Sequence, residues 1–230
     1  MLVGNGVFIV THASLCVDQL LDLDHTIAAP LFDGLVYPWA ALPNIKAFIQ
    51  DIALKLDMTH YRQITPDVFV HVSAFISDSA SIAGPCIIDE GAEIRHCAFI
   101  RGSVIVGKGA VVGNSTELKN CVLFDGCQVP HYNYVGDSIL GYKAHMGAGS
   151  ILSNVRADKA NIWVKPMGIE TGLRKFGAIL GDHAEIGCNA VLNPGTVIGR
   201  RAQVYPTSAV RGVVPQDGIH KVGGQVVLRK

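Results

Sequence analysis

Large apolar residues recur at every sixth position through most of this 230-residue chain. Read from Val70 they are Val70, Ile76, Ile82, Ile88, Ile94, Ile100, Val106, Val112, Leu118 and Phe124. Four residues after each anchor stands a small or β-branched one: Ala74, Ala80, Cys86, Ala92, Ala98, Val104, Ala110, Thr116 and Val122. The spacing predicts a phase slip near Pro130 and a resumption at Tyr134, Leu140, Met146 and Leu152. A later block runs through Leu180, Ile186, Leu192, Ile198, Val204 and Val210, with Ala184, Ala190, Thr196, Ala202 and Ser208 at the small position. An α-helix repeats its apolar face every 3.6 residues and a half-buried strand every two, so neither accounts for a period of six. One large and one small inward residue per hexad fits a flat side of a coil with three sides to a turn. Each such turn buries its face only against its neighbours, which is the logic of a solenoid.

The repeat predicts an all-β chain folded as a left-handed parallel β-helix, the hexapeptide-repeat solenoid. Its corners fall on Gly, Asn and Asp (IVGKGA, VVGNST, LGDHAE, VIGRRA), residues that accept strained turn backbone most readily. A content of 25 Gly suits many short strands joined by tight corners, and 49% apolar residues supply the core. Nineteen Lys+Arg balance nineteen Asp+Glu, which argues against a basic nucleic-acid binder and against an acidic disordered tail. No window approaches the roughly 18 apolar residues of a membrane helix. The opening MLVGNGVFIVTHASLC lacks the basic start of a signal peptide, so a cytoplasmic protein is expected. Six Cys without a CxxC pair are read as buried free thiols.

Two segments stand outside the repeat. Residues 1–65 hold an extended opening, a Pro/Asp/Gly stretch and one amphipathic helix, in which Ile45, Phe48, Ile49, Ile52 and Leu56 share a face. This segment is expected to cap the open N-terminal end of a β-helix spanning 66–230, where unpaired strand groups would otherwise be presented. The second segment is an insertion at about 155–177, and loops inserted into solenoids commonly sit on the binding face. The chain is expected to close with a strand near 224–228.

Residues one turn apart stack about 4.8 Å from each other. Arg101 and Lys119 are eighteen apart, and two stacked cations need a negative partner, either a bound phosphate or the neighbouring Glu117. His131 falls where the repeat loses phase, a place where a cleft can open and an imidazole can act as a base near neutral pH. His145 follows fourteen residues later and could face the same cleft.

From about 101 to 221 the chain resembles the acetyltransferase domain of bifunctional sugar-1-phosphate enzymes. These are the bacterial N-acetylglucosamine-1-phosphate uridyltransferase/glucosamine-1-phosphate acetyltransferase and the archaeal sugar-1-phosphate nucleotidylyltransferases. The resemblance is carried by GNSTELKN, PHYNYVGDSILG, MGAGSILSN and the block GLRKFGAILGD…IGCNAVLNPGTVIG. It implies acetyl-CoA-dependent N-acetylation of an amino-sugar 1-phosphate, in nucleotide-sugar biosynthesis, by a homotrimer. His131 matches the catalytic base, and Asn154 a residue close to both the sugar and the acetyl group. Arg101, Lys119, Tyr134 and, across the insertion, Lys175 match contacts to the sugar phosphate, and His145 lies among them. Ala148 and Cys188 match the acetyl-CoA channel, and Lys221 stands for a basic residue that meets the CoA phosphates. No metal is implied.

Several positions depart from the bacterial pattern. His145 replaces an Asn, Cys188 replaces a Ser, and the insertion follows Asn154 directly. No G-x-G-T-R-type loop is present, and Gly4-Asn5-Gly6 does not substitute for it, so no nucleotidyltransferase domain is expected and a separate nucleotidyltransferase becomes a possible partner. Two other functions compete. One is a metal hydratase of the γ-carbonic-anhydrase kind using His131 and His145; the other is a non-catalytic β-helix subunit that regulates or scaffolds a separate sugar nucleotidyltransferase. Backbone N–H groups around 147–149 are expected to receive the oxyanion of the transfer step.

Overall fold

The computed structural model describes residues 2–3, 6–7, 10–165 and 167–229. Residues 68–228 wind into a parallel β-helix of about eight turns with three flat faces. Face I begins with strands Val68–His71, Cys86–Ile88 and Val104–Val106. Face II begins with Phe75–Ile76 and Glu93–Ile94, and face III with Ser81–Ile82 and Phe99–Ile100. Each strand pairs in parallel with its equivalent one turn on, eighteen residues away in the first coils (Val104 with Cys86, Glu93 with Phe75, Phe99 with Ser81). The large and small hexad residues, Ile88, Ala92, Ile94, Ala98 and Ile100 among them, form one continuous interior.

The phase slip comes earlier than expected and at a different corner. From Val104 to Cys121 and from Cys121 to Ser138 the register advances by seventeen residues. The missing residue is lost between faces III and I, where strands Glu117–Leu123 and Tyr134–Leu140 run on around the corner. One left-handed residue turns each of these corners, Asn120 (φ 49°) and then Asp137 (φ 48°), where the preceding coil uses Gly102 (88°) and Ser103 (55°). Asn and Asp are among the few non-glycine residues that tolerate this conformation. The inward anchors are therefore Leu123 and Val135, with Cys121 at the small position, rather than Phe124, Tyr134 and Val122. Phe124 and Val122 point outward into a second apolar cluster.

That second cluster corrects the expected position of the N-terminal segment. The middle residues of face I, Ile87, Ile105, Val122, Ile139, Ile179 and Val197, are apolar and fully buried although they point out of the coil. The helix Ile45–Ala53 and the 3-10 segments before it lie along this face, burying Leu15, Leu20, Phe32, Trp39, Leu42, Ile45 and Ile49 against it. Residues 15–53 of the segment cover the side of the solenoid, and only its last stretch reaches the end. The N-terminal edge of face I is closed by strand Tyr61–Thr65, antiparallel to Val68–His71. The last coil is closed in the same way by Val226–Leu228 against Gly218–His220, as the expected terminal strand. Leu2–Val3 and Gly6–Val7 form a small antiparallel pair, and Gly4 and Asn5 lie outside the described residues.

The insertion falls in the fifth coil. Ile139 pairs with Ile179, His145 with Glu185 and Ile151 with Val191, each forty residues apart. Between strands Ile151–Leu152 and Ala178–Leu180 the chain forms the hairpin Trp163–Val164/Ile169–Glu170 and sinks Ile162, Val164 and Phe176 into the second cluster. All six Cys are free thiols; Cys86, Cys121 and Cys127 are buried, whereas Cys16 is half-buried and Cys97 and Cys188 are exposed, against the expectation that all are buried. Among the described residues no helix is long and apolar enough to cross a membrane.

Candidate active site

The two shortened corners bring four of the expected residues together around one that sequence reasoning passed over. Asp137 is 5% exposed at its side chain and accepts hydrogen bonds from Lys119 Nζ (3.2 Å), Asn120 Nδ2 (2.9 Å) and the Asn154 amide. Asn120 also donates to the Leu42 carbonyl (3.3 Å), tying this hub to the N-terminal segment. Arg101 stacks one coil below Lys119, as the eighteen-residue spacing predicts. Glu117, however, pairs with Arg101 (2.7 Å), and Lys119 takes Asp137. Both cations are thus neutralised within the chain. The Arg101–Glu117 pair is exposed and screened by solvent; the Lys119–Asp137 pair is the more sheltered of the two.

Tyr134 lies across this hub. A Cβ at Gly136 would sit 2.5 Å from the Tyr134 hydroxyl and 2.8 Å from Asn154 Nδ2, so the ring and the amide occupy the space above Gly136 and any larger residue there would displace them. Burial first, then the carboxylates of Glu117 and Asp137, push the Tyr134 phenol upward, which keeps it a neutral hydroxyl at physiological pH. Lys175 is exposed on the irregular stretch that leads from the insertion to strand Ala178–Leu180, and the next residue, Phe176, donates its N–H to the Asn154 carbonyl (3.0 Å). The Phe176 ring is buried and packs on Trp39 with centroids 5.8 Å apart. Lys175 is thereby brought back to the Asn154 corner.

His131 is exposed at the other end of face III, on the corner where face II ends. Its backbone N–H donates to Asn133 Oδ1 (3.1 Å). Asn133 is 2% exposed and donates to the Gly147 carbonyl (2.8 Å) and Ser150 Oγ (3.0 Å), pinning the His131 turn to the next coil. The registers of face II place Asn114, His131, Ala148 and Cys188 in one column on successive coils. Lys221 lies in the turn after Gly218–His220, two coils past Cys188 and so about 10 Å along the axis. Of the three N–H groups at 147–149, Gly147 donates to the Ile186 carbonyl and Gly149 to the His131 carbonyl. Only the Ala148 N–H lacks a partner among the described residues, so the expected backbone nest reduces to one donor.

His145 does not join the cluster around Asp137. It stands on the outer surface of face II, where its Nδ1 meets Glu185 Oε2 at 2.9 Å. Among the described residues no three His, Cys, Asp or Glu side chains converge as a metal site. Asp137, Asn120 and Asn133 are the residues sequence reasoning missed. Their signal was present, since Asp137 and Asn133 sit inside the string PHYNYVGDSILG and Asn120 is one coil below Asp137.

The hexad-built parallel β-helix thus carries a corner histidine at one end of a face and a Tyr/Asn/Lys cluster at the other. The chain belongs to the family described as the GMPPB C-terminal domain, whose model matches residues 82–221. It is 34% identical over 167 residues to a bifunctional sugar-1-phosphate nucleotidylyltransferase/acetyltransferase of Sulfurisphaera tokodaii, covering 64% of this chain and 42% of that protein. It is 30% identical over 222 residues to the bifunctional protein GlmU of Methanococcus maripaludis, covering 86% of this chain and 49% of the relative. The chain thus spans less than half the length of both. Among solved structures it is similar to a hexapeptide transferase family protein from Anaplasma phagocytophilum (TM-score 0.39, 17% identity, 72% of this chain and 86% of that one).

Proposed function

We propose that this chain transfers an acetyl group from acetyl-CoA to the amine of an amino-sugar 1-phosphate. The observation that carries the reading is the distribution of groups over face III. His131 stands in a column with Ala148 and Cys188 at one edge, and Tyr134, Asn154 and Lys175 gather at the other. In this scheme the thioester lies along the column, with Lys221 towards the CoA phosphates. The sugar spans the face with its phosphate at the far corner. Lys175 has no carboxylate within 4.0 Å among the described residues, so it supplies the uncompensated charge. Arg101 and Lys119 share theirs with Glu117 and Asp137.

The substrate ammonium gives a proton to His131, which general-base catalysis rewards with about 10²–10⁴-fold in rate. The free amine attacks the thioester carbonyl, forming the C–N bond, and the oxyanion accepts from the Ala148 N–H. Collapse breaks the C–S bond, the departing thiolate takes the proton held by His131, and the imidazole so freed accepts the second proton of the new amide nitrogen and releases it to solvent. The bisected arrangement of column and cluster suits a homotrimer in which face III of one protomer meets its neighbour, and Phe99 and Val191, exposed on that face, are the apolar surface to be covered.

The test is acetyl transfer from acetyl-CoA to glucosamine- and galactosamine-1-phosphate, with the product followed by mass spectrometry because exposed Cys97 and Cys188 would consume thiol reagents. Turnover reduced at least about a hundredfold by His131→Ala, with the oligomer intact by light scattering, is the expected result. Unchanged turnover in that variant removes His131 from the mechanism.

A further inference from the structure

A cavity of about 430 Å³ opens where the insertion folds over the later coils. Ser153, Asn193 and Arg211 line its floor, and Arg156, Trp163 and Lys165 its wall. Its volume falls within the range usual for small-molecule sites, roughly 300–1,000 Å³. The floor residues continue the outward column of Arg101, Lys119 and Gly136 on successive coils, so the cavity begins immediately beyond Asn154 along the solenoid axis.

Charge sets this cavity apart from the cluster beside it. Asp158, the carboxylate in its wall, is held by Arg156 through both oxygens, and those bonds keep the carboxyl well below the usual range. Lys165 and Arg211 have no carboxylate within 4.0 Å among the described residues. Three cations against one spent carboxylate leave a surplus of positive charge in a concave space, where its field is focused. Trp163 adds a flat aromatic face, 40% exposed on a short hairpin at the mouth. Phosphate-sized anions suit the first feature and a planar ring suits the second.

We propose that the cavity binds the nucleoside diphosphate portion of a sugar-nucleotide acceptor, with the diphosphate on Lys165 and Arg211 and the base against Trp163. This rests on the acyl-transfer reading for the sugar end, which would lie at Tyr134 and Asn154. A sugar 1-phosphate would then be the truncated acceptor and a nucleoside-diphosphate amino sugar the complete one.

The chain has two Trp, and Trp39 is buried, so quenching of the exposed Trp163 reports on the cavity directly. The full chain is titrated, without acetyl-CoA, with UDP, ADP, GDP and dTDP, and with inorganic pyrophosphate as comparator. At least one nucleoside diphosphate is expected to quench and to bind tenfold or more tighter than pyrophosphate. Lys165→Ala and Arg211→Ala are each expected to weaken it at least tenfold, and Arg211→Lys to recover part of the loss. In turnover, the same variants should lower kcat/KM for the nucleotide-linked acceptor tenfold while leaving that for the sugar 1-phosphate within twofold. No binding by any of the four, equal binding by pyrophosphate, or binding indifferent to both variants overturns the proposal. Binding with no acetyl transfer to any acceptor would sink the acyl-transfer reading and leave the cavity assignment standing. Transfer to sugar 1-phosphates without nucleotide binding would do the reverse.

Discussion

Replacing Asp137 by Asn tests whether one buried carboxylate organises the candidate site. The side chain is nearly isosteric, yet it loses the charge that balances Lys119 and turns an N–H₂ group towards one of the two donors, Asn120 or Asn154, whichever way the amide is placed. Removing one partner of a buried ion pair costs about 3–5 kcal/mol. Lys119 is 27% exposed against 5% for Asp137, so part of its charge can regain water, which puts the loss near the lower bound, about 3 kcal/mol. In a chain of this size about 1 kcal/mol moves Tm by roughly 2–4 °C, so a fall of about 6–12 °C is expected by circular dichroism. Lys119→Met alone should be milder. In the double variant the losses should fall short of additivity by about 1–2 kcal/mol, because the second change removes the charge the first left stranded. A drop of less than about 3 °C for Asp137→Asn, or strict additivity with Lys119→Met, would refute the idea that the carboxylate holds this corner.

Lys175→Ala should raise KM for the sugar phosphate about tenfold or more with kcat nearly unchanged, since a charge-assisted hydrogen bond to phosphate contributes about 1.5–3 kcal/mol; steady-state kinetics decide it. His220 is buried, its Nδ1 has no partner among the described residues, and desolvation lowers its pKa from the ordinary 6.5. The unfolded chain therefore takes up a proton below that pH before the folded chain does, and stability is lost as pH falls through this window. Tm measured from pH 8 to 5 should decline, with a shallower slope in His220→Gln. Thiol titration of the native protein should find Cys97 and Cys188 reacting quickly and Cys86, Cys121 and Cys127 only after denaturation; equal rates for all six would contradict the burial.

Much of the coil was legible because hexad periodicity is a local code. Ile88, Ala92, Ile94 and Ala98 announce inward positions by spacing alone, and the structure places them there. The pairing of Arg101 with Lys119 on neighbouring coils followed from arithmetic. The slip was misplaced by about half a coil because Phe124 and Tyr134 are large and largely apolar and stand next to the true anchors Leu123 and Val135. A period carries no record of which adjacent apolar residue points inward once a corner loses a residue. The signal for the N-terminal segment also lay in the sequence. One hexad in three carries an apolar outward residue, as at Ile87, Ile105, Val122 and Ile139, and a face apolar on both sides needs a cover.

The sequence by itself determined the period, the three-sided coil, the existence of an insertion after Asn154 and the residue types that resemble an acetyltransferase site. Only the tertiary structure decided how those residues are used. It gave Glu117 to Arg101 and Asp137 to Lys119, sent His145 to another face, spent two of the three N–H groups at 147–149, and laid the N-terminal segment along face I. Inward positions are set by neighbours along the chain and leave a periodic trace. Ion pairs and docking surfaces are settled between coils and segments far apart in sequence, where each charge takes the partner that the shared geometry leaves within reach.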